Sequence, residues 1–256
     1  MKKQILGFAL VATSVLALGI NANAATEATS EVGVGFQEDS NTTDPTEPGE
    51  ARGRLSLKGV PTAFQFGNKH KITTNGTMAF PVVNTGATDA RELNVYDDRP
   101  SEVKTGWVLS GELSDLVATN DPTKTLNGAL DFRMNQLMAY KASLPQGATA
   151  STPLEFPENP YTDTNSKIVT TAVAPGIDFI KANADGRSES VELEMGGDPV
   201  NLFGIQGGDN VYKGGIVTQL TDIDLVVKGG AEAQTDYTGE VTWKLSEAYT
   251  GSTTTP

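Results

Sequence analysis

The sequence predicts an all-β fold, and three observations carry that prediction. Short segments that alternate apolar and polar residues recur along most of the chain, as half-buried strands require, because strand side chains point to opposite faces in turn. Gly, Pro and Asn punctuate these segments at turn spacing, with none of the long helical intervals of βαβ units. The two tryptophans, Trp107 and Trp243, both sit in Trp-x-Leu-Ser: Trp107-Val108-Leu109-Ser110 and Trp243-Lys244-Leu245-Ser246. In each phrase Trp and Leu share a strand face, so two segments far apart in sequence are candidates for one core. Short punctuated strands suggest a sandwich or a barrel. The shared core leads to a β-sandwich, Ig-like or of a related kind, in one domain with long loops and an acidic N-terminal linker.

Taken in order, residues 1–24 have the pattern of an export signal. Lys2 and Lys3 precede an apolar run, Ile5 to Ile20, which ends in the small-x-small site Ala22-Asn23-Ala24, so the mature chain is expected to begin at Ala25. The run is short for a membrane span, and no later segment is apolar for long enough to cross a bilayer. Residues 25–50 hold seven acidic residues, no Lys or Arg, and Pro45 and Pro48, the composition of a flexible or extended linker. Within them Val32-Gly33-Val34-Gly35-Phe36 alternates and predicts a short edge strand. The compact domain is expected over 51–248, its first strand lent from before the linker, with 249–256 as a flexible tail.

Strands are predicted at Arg54–Leu57, Ala63–Phe66, Thr77–Val83, Glu92–Tyr96 and Lys104–Ser110. Turns fall at Gly67-Asn68, Asn75-Gly76 and Asn84-Thr85-Gly86. Ala129–Tyr140 reads as one long strand with a bulge, because Leu130, Phe132 and Met134 alternate and Leu137 slips. Ser143–Asn165 is rich in proline and reads as loop. Lys167–Val173, Ser190–Glu194, Val200–Ile205, Gly215–Leu220 and Asp222–Val227 are the remaining strands before the one that carries Trp243.

Charge and composition narrow the function. The 19 Lys+Arg against 32 Asp+Glu give a net charge of −13, and loss of Lys2 and Lys3 with the leader leaves 17 against 32, or −15. Such acidity argues against nucleic acid, whose phosphates need clustered Lys and Arg, and against an anionic membrane surface. There is no cysteine, so an exported chain must rely on its core without disulfides. The one histidine, His70, has no Gly-x-Ser-x-Gly elbow to serve and cannot assemble a zinc set alone. Asp222 and Asp224 with Thr162-Asp163-Thr164-Asn165 offer oxygen ligands for Ca²⁺ but lack EF-hand spacing. The reading is of a protein that is not an enzyme, with no catalytic residue, cofactor or metal.

Two sets of residues are candidates for binding. Trp107, Leu109, Trp243 and Leu245 would offer indole faces for a sugar, or else fill the core on the faces they share with Leu and Val. Asp97, Asp98 and Arg99 would meet a cation or a partner, or else form a turn closed by an internal Arg–carboxylate bridge before the Trp107 strand.

These residues, in order, resemble the WxL-domain family of secreted cell-surface proteins from low-GC Gram-positive bacteria. The resemblance rests on the export signal, the acidic linker, Leu55-Ser56-Leu57, Pro61, and Phe64-Gln65-Phe66-Gly67. It continues through Leu93-Asn94-Val95-Tyr96-Asp97-Asp98-Arg99 into Gly106-Trp107-Val108-Leu109 and closes with Tyr237-Thr238-Gly239-Glu240-Val241-Thr242-Trp243-Lys244-Leu245-Ser246. Either Trp-x-Leu alone is trivial, whereas the ordered set over roughly residues 30 to 248 is specific. Pro100 departs from the Gly common in the family at this place. The resemblance implies a secreted protein held non-covalently in the cell wall through peptidoglycan. It also implies partners: other WxL proteins and a membrane-anchored WxL-interacting protein. The alternative it leaves open is a structural or adhesive component held at the surface by those protein partners without direct peptidoglycan contact.

Overall fold

Alternation along each segment dictates which residues turn inward, and the strands pair so that those inward rows meet. The computed structural model describes residues 26–34, 55–67, 70, 76–83, 91–142, 171–172, 177–179, 188–209, 211–229, 231 and 235–247. Among them there is no helix. In chain order the strands are β1 (Thr26–Val34), β2 (Leu55–Gly59), β3 (Ala63–Gln65), β4 (Met78–Pro81), β5 (Glu92–Asp97), β6 (Trp107–Leu113), β7 (Val117–Ala118) and β8 (Asp121–Thr125). They continue with β9 (Asn127–Met134), β10 (Met138–Tyr140), β11 (Thr171–Ala172), β12 (Ile177–Phe179), β13 (Val191–Glu194), β14 (Val200–Ile205), β15 (Gly214–Gly229) and β16 (Tyr237–Glu247).

Two sheets of eight strands result. The first runs β12-β14-β6-β16-β1-β3, with β7 and β8 attached to β16; the second runs β11-β10-β15-β5-β2, with β9 and β4 on the far half of β15 and β13 on β9. Every described strand pair is antiparallel except β1 with β3. One apolar cluster draws on both sheets: Phe64, Trp107, Leu109, Phe203, Val241, Trp243 and Leu245 from the first, and Leu57, Leu93, Val95, Leu130, Phe132, Ile216 and Leu225 from the second. The fold is therefore the expected all-β sandwich, with both Trp strands in a shared core.

Four expectations change in detail. The edge strand placed at Val32–Phe36 is instead β1, which starts earlier and lies inside its sheet between β16 and β3. A strand interior to a sheet is set by backbone pairing on both sides, which the apolar content of β1 does not reveal. Gly215–Leu220 and Asp222–Val227 form one strand, β15, with Asp222 in the left-handed region at φ 51° and a register shift between Thr221 and Asp224. Asp tolerates that region better than most residues, so the strand bends there without ending. Ala129–Tyr140 divides into β9 and β10, both paired to β15. The first Trp strand starts at Trp107 and runs on to Leu113. The export signal, the linker at 39–50, the loop Ser143–Asn165, the turn at Asn84-Thr85-Gly86 and the tail at 249–256 lie outside the described residues.

Candidate functional site

The two Trp-x-Leu phrases lie on neighbouring strands. β6 and β16 run antiparallel with Leu109 opposite Leu245, Gly111 opposite Trp243 and Trp107 opposite Glu247. One continuous rib results, two leucines at its centre and an indole towards each end. Trp107 and Trp243 are 1% and 0% exposed, so neither ring shows a face to solvent. Trp107 meets Phe203 of β14 edge-on at 6.0 Å, and Trp243 meets Phe132 of β9 edge-on at 6.3 Å. The second contact crosses between the sheets. Gly111 makes it feasible: a Cβ there would stand 3.1 Å from Trp243 Cζ3 and 3.3 Å from Leu193 Cδ1.

The indole nitrogens differ. Trp243 Nε1 donates to Ser30 Oγ of β1 at 2.5 Å, and that hydroxyl donates to the Pro61 carbonyl. Trp107 Nε1 is buried and has no hydrogen-bond partner among the described residues.

At the Trp107 end of the rib lies a buried charged node. Asp97 and Arg99 are 1% and 6% exposed. Arg99 donates through Nε to Asp97 Oδ1 at 2.9 Å and through Nη2 to Asp97 Oδ2 at 2.8 Å, the two-pronged geometry that suits guanidinium and carboxylate. It also donates to Thr105 Oγ1 at 3.0 Å and to the Thr105 carbonyl at 3.1 Å, which ties down the loop before Trp107. Glu247 of β16 approaches Arg99 at 3.3 Å, and Lys213 approaches Asp97 at 3.1 Å. The node thus joins β5 of one sheet to β16 of the other. Burial alone would lower the Arg99 pKa, but Asp97 and then Glu247 outweigh it and the net shift is upward, so the guanidinium stays charged.

Asp98 lies between the two in sequence. It is half-buried, and its charge acts on the Tyr96 phenol, whose pKa is raised first by burial, against a hydrogen bond from the Ala142 amide. Of the seven candidates, the structure gathers Trp107, Leu109, Trp243 and Leu245 into one rib and Asp97 and Arg99 into its cap. His70 bonds through Nε2 to the Phe66 carbonyl at 2.5 Å and rests on Phe80, 4.1 Å between ring centres. Among the described residues no group of three or more His, Cys, Asp or Glu is arranged to hold a metal ion, and no helix is long and apolar enough to cross a membrane.

Sequence reasoning missed Ser30, Thr105, Lys213 and Glu247. Glu247 carried a signal, since it continues the inward parity of Val241, Trp243 and Leu245. The even positions of the same two strands form the other face, where Ser246 pairs with Val108, Lys244 with Ser110 and Thr242 with Glu112. Glu112 and Lys244 are exposed there.

A family profile described as "WxL domain surface cell wall-binding" matches residues 23–248, which takes in both Trp strands and the charged node. No curated protein and no solved structure matches the chain.

Proposed function

Because the chain belongs to the WxL family of surface cell wall-binding domains, we propose that it is exported and docks non-covalently on peptidoglycan, within an assembly of surface proteins. The observation that carries this reading is the family match itself, which spans the whole sandwich. The geometry supports a division of labour within it. With both indoles enclosed, contact falls to the even-numbered face of β6 and β16, where Glu112, Thr242 and Lys244 supply hydrogen-bonding groups over a broad sheet. Such a surface suits a repeating glycan, gripped through many modest and partly water-mediated contacts. Trp107, Leu109, Trp243 and Leu245 serve binding from behind by fixing the two strands in register, and Asp97 with Arg99 by fixing the end of the rib.

The test is co-sedimentation of the secreted chain with peptidoglycan sacculi stripped of protein, beside sacculi that keep their surface proteins, at low and high salt. Pelleting with bare sacculi is expected, weakened by substitutions at Thr242 and Lys244. Pelleting with the protein-bearing sacculi alone would replace the reading by attachment through other WxL proteins or a WxL-interacting protein. Release of muropeptides would replace it by an enzyme.

A further inference from the structure

The first strand of the sandwich is joined to the second by a long stretch of chain. The twenty residues 35–54 separate β1 from β2, and a tether of that length reaches up to about 70 Å when extended. Its acidic residues, Glu38, Asp39, Asp44, Glu47 and Glu50, are joined by Pro45 and Pro48, a composition that resists compaction.

Yet the slot that β1 fills is interior. It pairs antiparallel with β16 along its whole length, from Thr26 opposite Leu245 to Val34 opposite Tyr237, and parallel with β3 from Glu31 opposite Ala63 to Gly33 opposite Gln65. Ser30, fully buried, completes the hydrogen bond of the Trp243 indole. Without β1, β16 becomes an open edge, β3 loses the strand that ties it to the sheet, and a buried donor at the core loses its acceptor. A row of backbone donors and acceptors of that kind is satisfied by another strand and by little else.

We infer that the slot between β16 and β3 is an exchange site, which takes β1 from its own chain or from a second copy, so that crowded copies link through swapped first strands. Every backbone and Ser30 contact is the same in the two closures, so only the tether decides between them. A tether of this length and composition would hold its strand at an effective concentration on the order of millimolar. Copies gathered on a surface at comparable local density compete with it. The second copy is the fitting occupant because its own β1 brings the serine in register with Val241, beside Trp243. The inference is independent of which wall component the domain meets.

The chain has no cysteine, so introduced thiols report pairing without interference. Thr29 stands opposite Thr242, and Glu31 opposite Glu240. Secreted chains bearing T29C and T242C are unfolded together, refolded at rising concentration and oxidised. A T29C–T242C heterodimer is expected, its yield rising with concentration. It should exceed the T29C–E240C heterodimer by about tenfold, because positions two residues out of register lie about 7–8 Å apart, at the limit of disulfide reach. The T29C/T242C double variant, refolded dilute, should close within one chain. A double variant that closes while the mixed chains never cross-link, equal yields with E240C, or failure of the double variant to close would each overturn the inference.

Discussion

Replacing Arg99 by methionine separates a wall contact from a staple within the fold. The substitution keeps much of the side-chain bulk and removes the guanidinium. Asp97 loses its bonds from Nε and Nη2, Thr105 loses two donors and Glu247 loses its ion pair. The Asp97 carboxylate, almost fully buried, keeps the Lys213 ammonium at 3.1 Å and the Arg99 amide at 3.1 Å. Removing one partner of a buried pair costs about 3–5 kcal/mol when nothing else compensates, and the retained lysine brings the expectation to about 2–3 kcal/mol. With a urea dependence of about 2–3 kcal/mol per molar, the unfolding midpoint followed by tryptophan fluorescence should fall by about 1 M. Adding D97N to R99M should recover part of the loss, since the stranded charge goes with it. Folded R99M should still sediment with sacculi. An R99M chain within about 0.5 kcal/mol of the parent in stability, but unable to sediment, would refute the reasoning and make Arg99 a wall contact.

Three further substitutions probe the rib and the second sheet. W243F should cost about 1 kcal/mol more than W107F in the same urea titration, because only Trp243 gives up a hydrogen bond, the one to Ser30. G111V should cost about 1–3 kcal/mol through overpacking against Trp243 and Leu193, with G111A milder, and should alter the near-ultraviolet circular dichroism of the indoles. Asp131 lies opposite Glu192 on one side and Asp224 on the other. Its pKa is raised first by burial and then by Glu192, against Lys228, with a smaller push from Asp224. Like charges directly opposite cost about 0.2–1 kcal/mol per pair, so D131N should stabilise by about that much at neutral pH. The folded chain binds this proton more tightly than the unfolded chain, so the penalty is complete above the folded pKa. The D131N advantage should shrink as pH falls through that value and vanish below 3.8, the ordinary aspartate pKa, which unfolding midpoints across that range will measure.

The inward rows were legible because they obey strand parity, and the places where parity slips were legible as breaks whose meaning was not. In β15 the inward residues are Ile216, Thr218 and Leu220, then Ile223, Leu225 and Val227. Even positions give way to odd ones, which in sequence looks like two strands. In the fold it is a single bend at Asp222: β5 and β10 pair with β15 before the slip, β4 after it, and β9 runs across it from Leu220 to Gly229. The same change of parity separates Leu130, Phe132 and Met134 from Leu137 and Ala139. There the chain takes four steps from Met134 to Met138 against three on its partner, from Leu220 to Val217. Thr218 Oγ1 holds the surplus residue in place by donating to the Asn135 carbonyl at 2.7 Å. A slip tells the reader that a residue has been inserted, but which strands continue past it depends on partners the sequence does not name.

The charged node and the first strand failed to show for a different reason, since both depend on polar atoms placed inside. Asp97 and Arg99 are close enough in sequence to suggest a local bridge, but Lys213 and Glu247 reach them from β15's approach and from the end of β16, and a charged residue at a strand end ordinarily reads as solvated. β1 is the stronger case. At the parity of Ser30 it carries Ala28 and Val32, too little apolar bulk to be distinguished from the acidic stretch that follows. What makes it a core strand is its register: Ala28 lies opposite Trp243 in the ladder, and Ser30 supplies the acceptor that the indole N–H must find once it is out of water. The demand comes from the far end of the sequence. A tryptophan enclosed on β16 needs a hydrogen-bond acceptor from the strand beside it, so the polar residue Ser30 is a consequence of the core.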